Sequence, residues 1–164
     1  VCNSMMKRAP DNIGCKLSCA DALAVAERIC QERGARLTSQ RRQVLEIIFS
    51  HEKPMGAYDV LDRLKQNLPQ AKPPTVYRAL DFLLAQGLLH RLESLNAFVG
   101  CIHPDHLHAS QFLICRECGL VEELESKSVD RTLDKALKDS GFEADAQVIE
   151  VTGRCARCTG QCPL

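Results

Sequence analysis

The sequence predicts an α+β fold in two parts: short helices closed by a hairpin, then a small mixed domain built around paired cysteines. Three observations carry that prediction. Apolar residues recur at helical spacing as far as Gly87, short strand-like runs replace them beyond it, and two Cys-x-x-Cys pairs, Cys115/Cys118 and Cys155/Cys158, stand 36 residues apart. The 164 residues are enough for one ordinary core or two small ones.

The elements follow in order. Ala22, Val25, Ala26 and Ile29 define a first helix, Cys30 belongs to its core face, and Gly34 is a suitable stop. In LTSQRRQVLEIIFSH, Thr38 or Ser39 suits the N-cap, and Val44, Ile47 and Ile48 share a face. A third helix is predicted from Ala57 to Gln66, with Val60, Leu61 and Leu64 inward. PQAKPP breaks it, because each proline biases its predecessor away from helix. Pro74 suits the first turn of a fourth helix, TVYRALDFLLAQG, whose inward stripe is Val76, Ala79, Leu80, Leu83 and Leu84 and whose end is Gly87. LLHRLESLNAFVG then reads as a hairpin turning through Glu93, Ser94, Leu95 and Asn96. Helices followed by a hairpin is the order of a winged helix-turn-helix.

GCIHPDHLHAS marks the domain boundary. Beyond it, Gln111 to Cys115 and Gly119 to Leu124 predict two strands around the CREC turn. A helix from about Ser128 to Ser140 is expected to bury Val129, Leu133, Ala136 and Leu137 and to end Schellman-fashion at Gly141 and Phe142. Gln147 to Val151 predicts a third strand leading into CARC. The expected parts are an N-terminal extension (1–20), a winged-helix domain (21–100), a hinge (101–110) and a second domain (111–164).

Composition narrows the function classes. No run approaches the ~20 apolar residues of a membrane span. The opening VCNSMMKRAPDNIGCKLSC has neither a long apolar core nor a small-residue cleavage site, so a cytoplasmic protein is expected. In a reducing compartment, clustered thiols among the ten cysteines favour metal over disulfides. With no Trp, two Tyr and five Phe, the chain lacks the aromatic platforms of a single-strand binder. The zero net charge conceals a division. Residues 1–93 hold 14 Lys and Arg against 10 Asp and Glu, net +4; residues 94–164 hold 7 against 11, net −4. A basic front and an acidic back fit a nucleic-acid reader joined to something else.

Two groups of residues have the chemistry of metal ligands. Each Cys-x-x-Cys turn can offer two sulfurs to one side, so Cys115, Cys118, Cys155 and Cys158 together make a tetrahedral zinc site with no open position, structural rather than catalytic. Such a site staples a domain too small to hold itself firmly. The second group bunches His90, Cys101, His103, His106 and His108 at the predicted hinge, with Glu122, Glu123 and Glu125 as carboxylate candidates. A mixed Cys/His/carboxylate set favours zinc over iron or manganese. Because His90 belongs to the first half and His108 to the second, a metal bound there would tie the halves together, as a metal-responsive switch requires.

On the fourth helix, Arg78 lies opposite the apolar stripe, flanked by Thr75 and Tyr77. Arginine pairs bidentately with guanine in the major groove, and hydroxyls near a helix N-terminus suit phosphates. Arg41, Arg42 and Tyr58 are candidates of the same kind, each equally readable as surface charge or a half-buried ring. Asp62 and Lys65, three residues apart on the third helix, read as a local ion pair or as a contact between neighbouring dimers, with the local pair favoured.

AYDVLDRL, KPPTVYRALDFLLAQGLLHRLES and the CREC and CARC pairs resemble the ferric uptake regulator (Fur) superfamily, and within it the zinc uptake regulator branch most of all, over about residues 21 to 160. The resemblance implies a homodimer with an N-terminal winged helix and a C-terminal α/β dimerisation domain. It also implies two zinc sites per chain and a metal-loaded form that binds double-stranded operator DNA to repress zinc-uptake genes. Position by position, it makes Cys115, Cys118, Cys155 and Cys158 structural zinc ligands and His90, Cys101, His108 and Glu123 the regulatory set. It makes Tyr58 and Arg78 DNA contacts, beside Thr75 and Tyr77 from the helix reading. Where Fur proteins carry an HHDH-type run, this chain has HPDHLHAS, and Cys101 favours zinc over iron. Neither an enzyme nor a small-molecule substrate other than metal is expected. The competing readings are an iron- or peroxide-sensing regulator of the same family, a zinc-ribbon adaptor that binds protein, and a thiol-redox enzyme. The last lacks a nucleophile-and-base set beyond the metal thiols.

Overall fold

A computed structural model describes residues 18–102, 104, 110–144 and 147–160. Cys2, Cys15, Cys162, His103, His106 and His108 lie outside these described residues. The chain divides into two compact units, with the boundary after His108.

The first unit is four helices and a hairpin: α1 Cys19–Glu32, α2 Ser39–Phe49, α3 Ala57–Asn67, α4 Pro73–Ala85, β1 Leu89–Leu92 and β2 Ala97–Gly100. Each helix starts where its local chemistry permits. Ser18 Oγ accepts the Asp21 N–H at 3.1 Å, and Thr38 Oγ1 accepts that of Arg41 at 3.4 Å, which makes Thr38 rather than Ser39 the cap of α2. Asp59 takes the Gly56 N–H at the head of α3. Pro73 and Pro74 open α4, where the missing N–H groups would have had no partner. Gly87 ends it with φ +66°, letting the Leu88 N–H return to Leu83 O at 2.9 Å.

The predicted helical stripes become one core, including Ala26, Val44, Val60, Leu64, Val76 and Leu83, all at most 1% exposed. Ile47 packs half-buried against the same core as Val44 and Ile48, and Leu45, three before Ile48, is buried with them. Leu84 is only half-buried at the margin of the α4 stripe. Burial of each such side chain contributes about 1.5–3 kcal/mol, enough to hold helices of 11 to 14 residues that would be marginal alone. The hairpin pairs Leu89 with Gly100 through Leu92 with Ala97, and Asn96 takes the left-handed backbone its turn needs.

The second unit contains β3 Ser110–Cys115, β4 Val121–Leu124, α5 Lys127–Ser140, β5 Val148–Gly153 and the single turn α6 Ala156–Thr159. The sheet order is β4-β3-β5, with β3 antiparallel to β4 and parallel to β5, so α5 is the crossover. Buried Gln111 ties the helix down, donating to Asp130 Oδ1 at 2.6 Å. Gly141 closes α5 in the left-handed conformation and Phe142 N–H returns to Leu137 O, the Schellman ending expected.

Three expectations change here. β4 starts at Val121 because Gly119 belongs to the turn, its N–H bonded to Cys115 O. β5 runs two residues further than expected, to Gly153, since its parallel partner β3 continues to Cys115. Most consequentially, α5 buries none of its residues: Val129 is 37% exposed, and Val129, Leu133 and Ala136 line an open groove of about 400 Å³ with Ile149. The apolar periodicity is there, with Leu133 and Leu137 half-buried, but among the described residues nothing covers the face fully.

Candidate metal centres and nucleic-acid interface

The four-cysteine centre is made by strand register. Cys115 ends β3, and the CREC turn folds back at once, with Gly119 N–H on Cys115 O and Cys115 N–H on Leu120 O. Pairing of Cys115 with Gly153 stops β5 alongside, and Arg116 N–H bonds Gly153 O. Cys155 therefore emerges beside Cys115, caps α6, and Cys158 follows one helical turn later.

The sulfurs of Cys115, Cys118, Cys155 and Cys158 all lie within 4.8 Å of one another, with Cys118 and Cys155 3.7 Å apart. A tetrahedron of thiolates at the zinc–sulfur distance of ~2.3 Å has edges of about 3.8 Å, so the donor set fits zinc in both chemistry and spacing. Protonation points the same way. Backbone N–H groups of Cys118 and Cys155 lower the Cys115 thiol to about 6, whereas hydrogen bonding to Cys155 and Cys118 raises Cys158 to about 12. Four thiols this close do not all ionise unless a cation compensates them.

In the first unit, His90 on β1 and Cys101 just past β2 bring a ring nitrogen and a sulfur within 4.8 Å of each other. Cys101 is 1% exposed and its N–H bonds Leu88 O at 3.0 Å, so the hairpin backbone holds the thiol in place. In the second unit the pleat separates the carboxylate candidates. Glu122, opposite Leu113, shares that residue's face, whereas Glu123, opposite Phe112, is on the other; Glu125 lies past the strand and is exposed.

The residues expected to contact DNA lie in the first two turns of α3 and α4. Tyr58, second in α3, is 67% exposed. On α4, Arg78 and Tyr77 are exposed and Thr75 half-exposed, with Thr75 and Arg78 three apart on one face. Arg41 and Arg42 have partners within the fold. Arg41 lies 3.5 Å over the Phe82 ring and donates to Arg36 O, and Arg42 pairs with Glu27. Asp62 and Lys65 are both exposed and form no ion pair, as holding two long side chains in water gains little.

Residues 32–152 match the Ferric uptake regulator family. The chain belongs to this family. Within it, the chain is 44% identical over 144 residues to the zinc uptake regulation protein of Escherichia coli (strain K12), covering 87% of this chain and 84% of that protein. Its structure matches that of a zinc uptake regulator complexed with zinc and DNA at a TM-score of 0.84 and 44% identity, over 88% of this chain and 97% of the other. It matches holo XcZur at a TM-score of 0.78 and 47% identity, over 84% and 96%. The family is one of transcription regulators, not of enzymes.

Two arginines flank the ligand turns in this Fur-family chain. Arg154 pairs with Glu117 at 2.7 Å and donates to Cys158 O, tying the two turns together, while Arg157 donates to Cys118 Sγ at 3.9 Å. The signal is Arg154 beside and Arg157 within the second Cys-x-x-Cys turn, but its meaning depends on the two turns meeting. No helix among the described residues is long and apolar enough to cross a membrane.

Proposed function

We propose that this chain is a zinc-responsive transcriptional repressor that binds operator DNA as a zinc-loaded homodimer and controls zinc-uptake genes. The observation that carries this reading is the 0.84 TM-score, at 44% identity, with a zinc uptake regulator complexed with zinc and DNA. Residues 21–100 serve as the reading domain, 101–110 as the hinge and 111–164 as the dimerisation domain, in the cytoplasm. The uncovered apolar stripe of α5 and a second groove of about 530 Å³ that includes Leu113, Leu120 and Val151 support a second copy as the partner of that domain.

Two zinc ions per chain have separate tasks. Cys115, Cys118, Cys155 and Cys158 hold a structural ion. The regulatory ion belongs to His90, Cys101, His108 and Glu123; the soft thiol of Cys101 beside His90 supports zinc over iron there. Bound zinc supplies fixed coordination, which removes conformational freedom from the residues that ligate it. Tyr58, Thr75, Tyr77 and Arg78 are the DNA contacts: the Arg78 guanidinium reads a base edge while the hydroxyls position phosphates. Without regulatory zinc, binding would have to order both reading domains at once, which weakens it by that entropy.

The test is binding of the full chain to duplex DNA from upstream of a zinc-uptake gene, with and without added zinc. Zinc-dependent tightening is expected. Equal affinity in both conditions sinks the repressor reading, even if both metals are bound.

A further inference from the structure

We propose that Phe49 is a positioning residue for the His90–Cys101 ligand pair, acting through a ring seated directly on the backbone of Gly100. The inference rests on the hinge-zinc reading above and adds a residue that no part of that reading assigns.

Phe49 is the last residue of α2; beyond it the Ser50 hydroxyl donates to Glu46 O and His51 N–H turns back to Ile48 O. Its half-buried ring packs against the first unit's core. Gly100 is the last residue of β2, paired with Leu89 and adjacent in sequence to Cys101. A Cβ built on Gly100 would stand 2.6 Å from Phe49 Cε2 and 2.7 Å from Cε1. Only a glycine lets the ring come so close. Gly100 has no left-handed backbone that would otherwise explain the choice, so the close approach is the reason for it.

The same strand is held from a second side. Met55 and Phe98 exchange both backbone hydrogen bonds, Met55 N–H to Phe98 O at 3.1 Å and Phe98 N–H to Met55 O at 2.9 Å. β2 is thus clamped between this bridge and the Phe49 ring. Position 100 cannot move toward α2, and Cys101, whose N–H is held by Leu88 O, follows it. Leu89 pairs with Gly100 and His90 with Val99, so both ligands are referenced to the clamped residues. A ligand pair fixed before metal arrives keeps the ordering cost out of the binding step.

The clamp also joins the ligand pair to α2, which meets α4 through Arg41 over Phe82. That spatial continuity motivates measuring DNA binding alongside metal binding.

The experiment compares wild type, Gly100→Ala, Phe49→Leu and the double variant Phe49→Ala/Gly100→Ala by zinc competition and cobalt(II) titration of the full chain. Unfolding temperature and DNA binding are recorded in parallel. Wild type is expected to take two metals. Gly100→Ala should keep the four-cysteine metal but bind the second about tenfold or more weakly, with a shifted thiolate–cobalt absorption. The double variant, with room for the new methyl, should recover most of that affinity. Phe49→Leu, which retains apolar volume without the flat ring, should fold normally and still weaken the second site. Wild-type affinity at that site in both Gly100→Ala and Phe49→Leu overturns the positioning role alone. A wild-type chain that takes only one metal overturns the hinge-zinc reading, and this inference with it.

Discussion

Arg41, Arg42 and Arg78 look alike in the sequence and have different partners in the fold. Arg41 covers Phe82 and Arg42 pairs with Glu27, whereas Arg78 makes no ion pair or hydrogen bond among the described residues and is exposed on α4. Arg78→Ala is therefore expected to cost about 1–3 kcal/mol of discrimination between operator and mismatched duplex. Zinc content and unfolding temperature should not change. Competition binding against single-base variants checks this; undiminished selectivity removes the base-reading role. Cys101→Ser exchanges a soft thiolate for a poor ligand at a buried position. The variant should retain one zinc per chain, held by the four cysteines, and lose zinc-stimulated DNA binding. Metal analysis after gel filtration, paired with an electrophoretic shift, distinguishes the two effects.

The elements differ in how far local pattern determines them. α1 to α4 and the hairpin are legible because caps, prolines and helical spacing act within a few residues: Thr38, Pro73 and Gly87 each set a boundary through their own backbone chemistry. The α5 stripe is equally legible as a pattern, yet its expected burial is incomplete among the described residues, since periodicity states that a face must be covered and not by what. Leu133→Glu places a charge on that face. If a second copy covers it, dimer affinity should fall by about 3 kcal/mol, roughly a hundredfold, while the sheet and the four-cysteine zinc persist. Light scattering across a dilution series reads the change. A dimer of unaltered affinity would place the subunit contact elsewhere.

At the scale of the whole molecule, zero net charge is the sum of a basic front of net +4 and an acidic back of net −4, and the two metal centres carry different thermodynamic weight. Among the described residues, the unit containing β3 to β5 has few buried side chains, Phe112, Ile114 and Cys115 among them, so zinc held by its four cysteines would contribute to folding itself. The helical unit has its own core and needs no metal to form. Mild chelation is expected to remove one of two zinc ions and abolish operator binding with circular dichroism unchanged. A stronger chelator that takes the second ion should melt the strand-rich unit while helical signal from α1 to α4 persists. Loss of both ions in one step, or retention of the strand signal without metal, would contradict this division of labour.

The ligand types, the two Cys-x-x-Cys turns, the order of helices and the exposed face of α4 all follow from the order of residues, because turn chemistry and side-chain period are properties of short segments. The meeting of the two turns is of another kind. It depends on β5 pairing in parallel with β3 so that Gly153 lies opposite Cys115, a register set across the α5 crossover. The engagement of Arg41 and Arg42, the bracing of the cysteine turns by Arg154 and Arg157, and the seating of Phe49 on Gly100 likewise join residues distant in the chain. Such contacts are decided by which surfaces pack together, and no local periodicity encodes that packing.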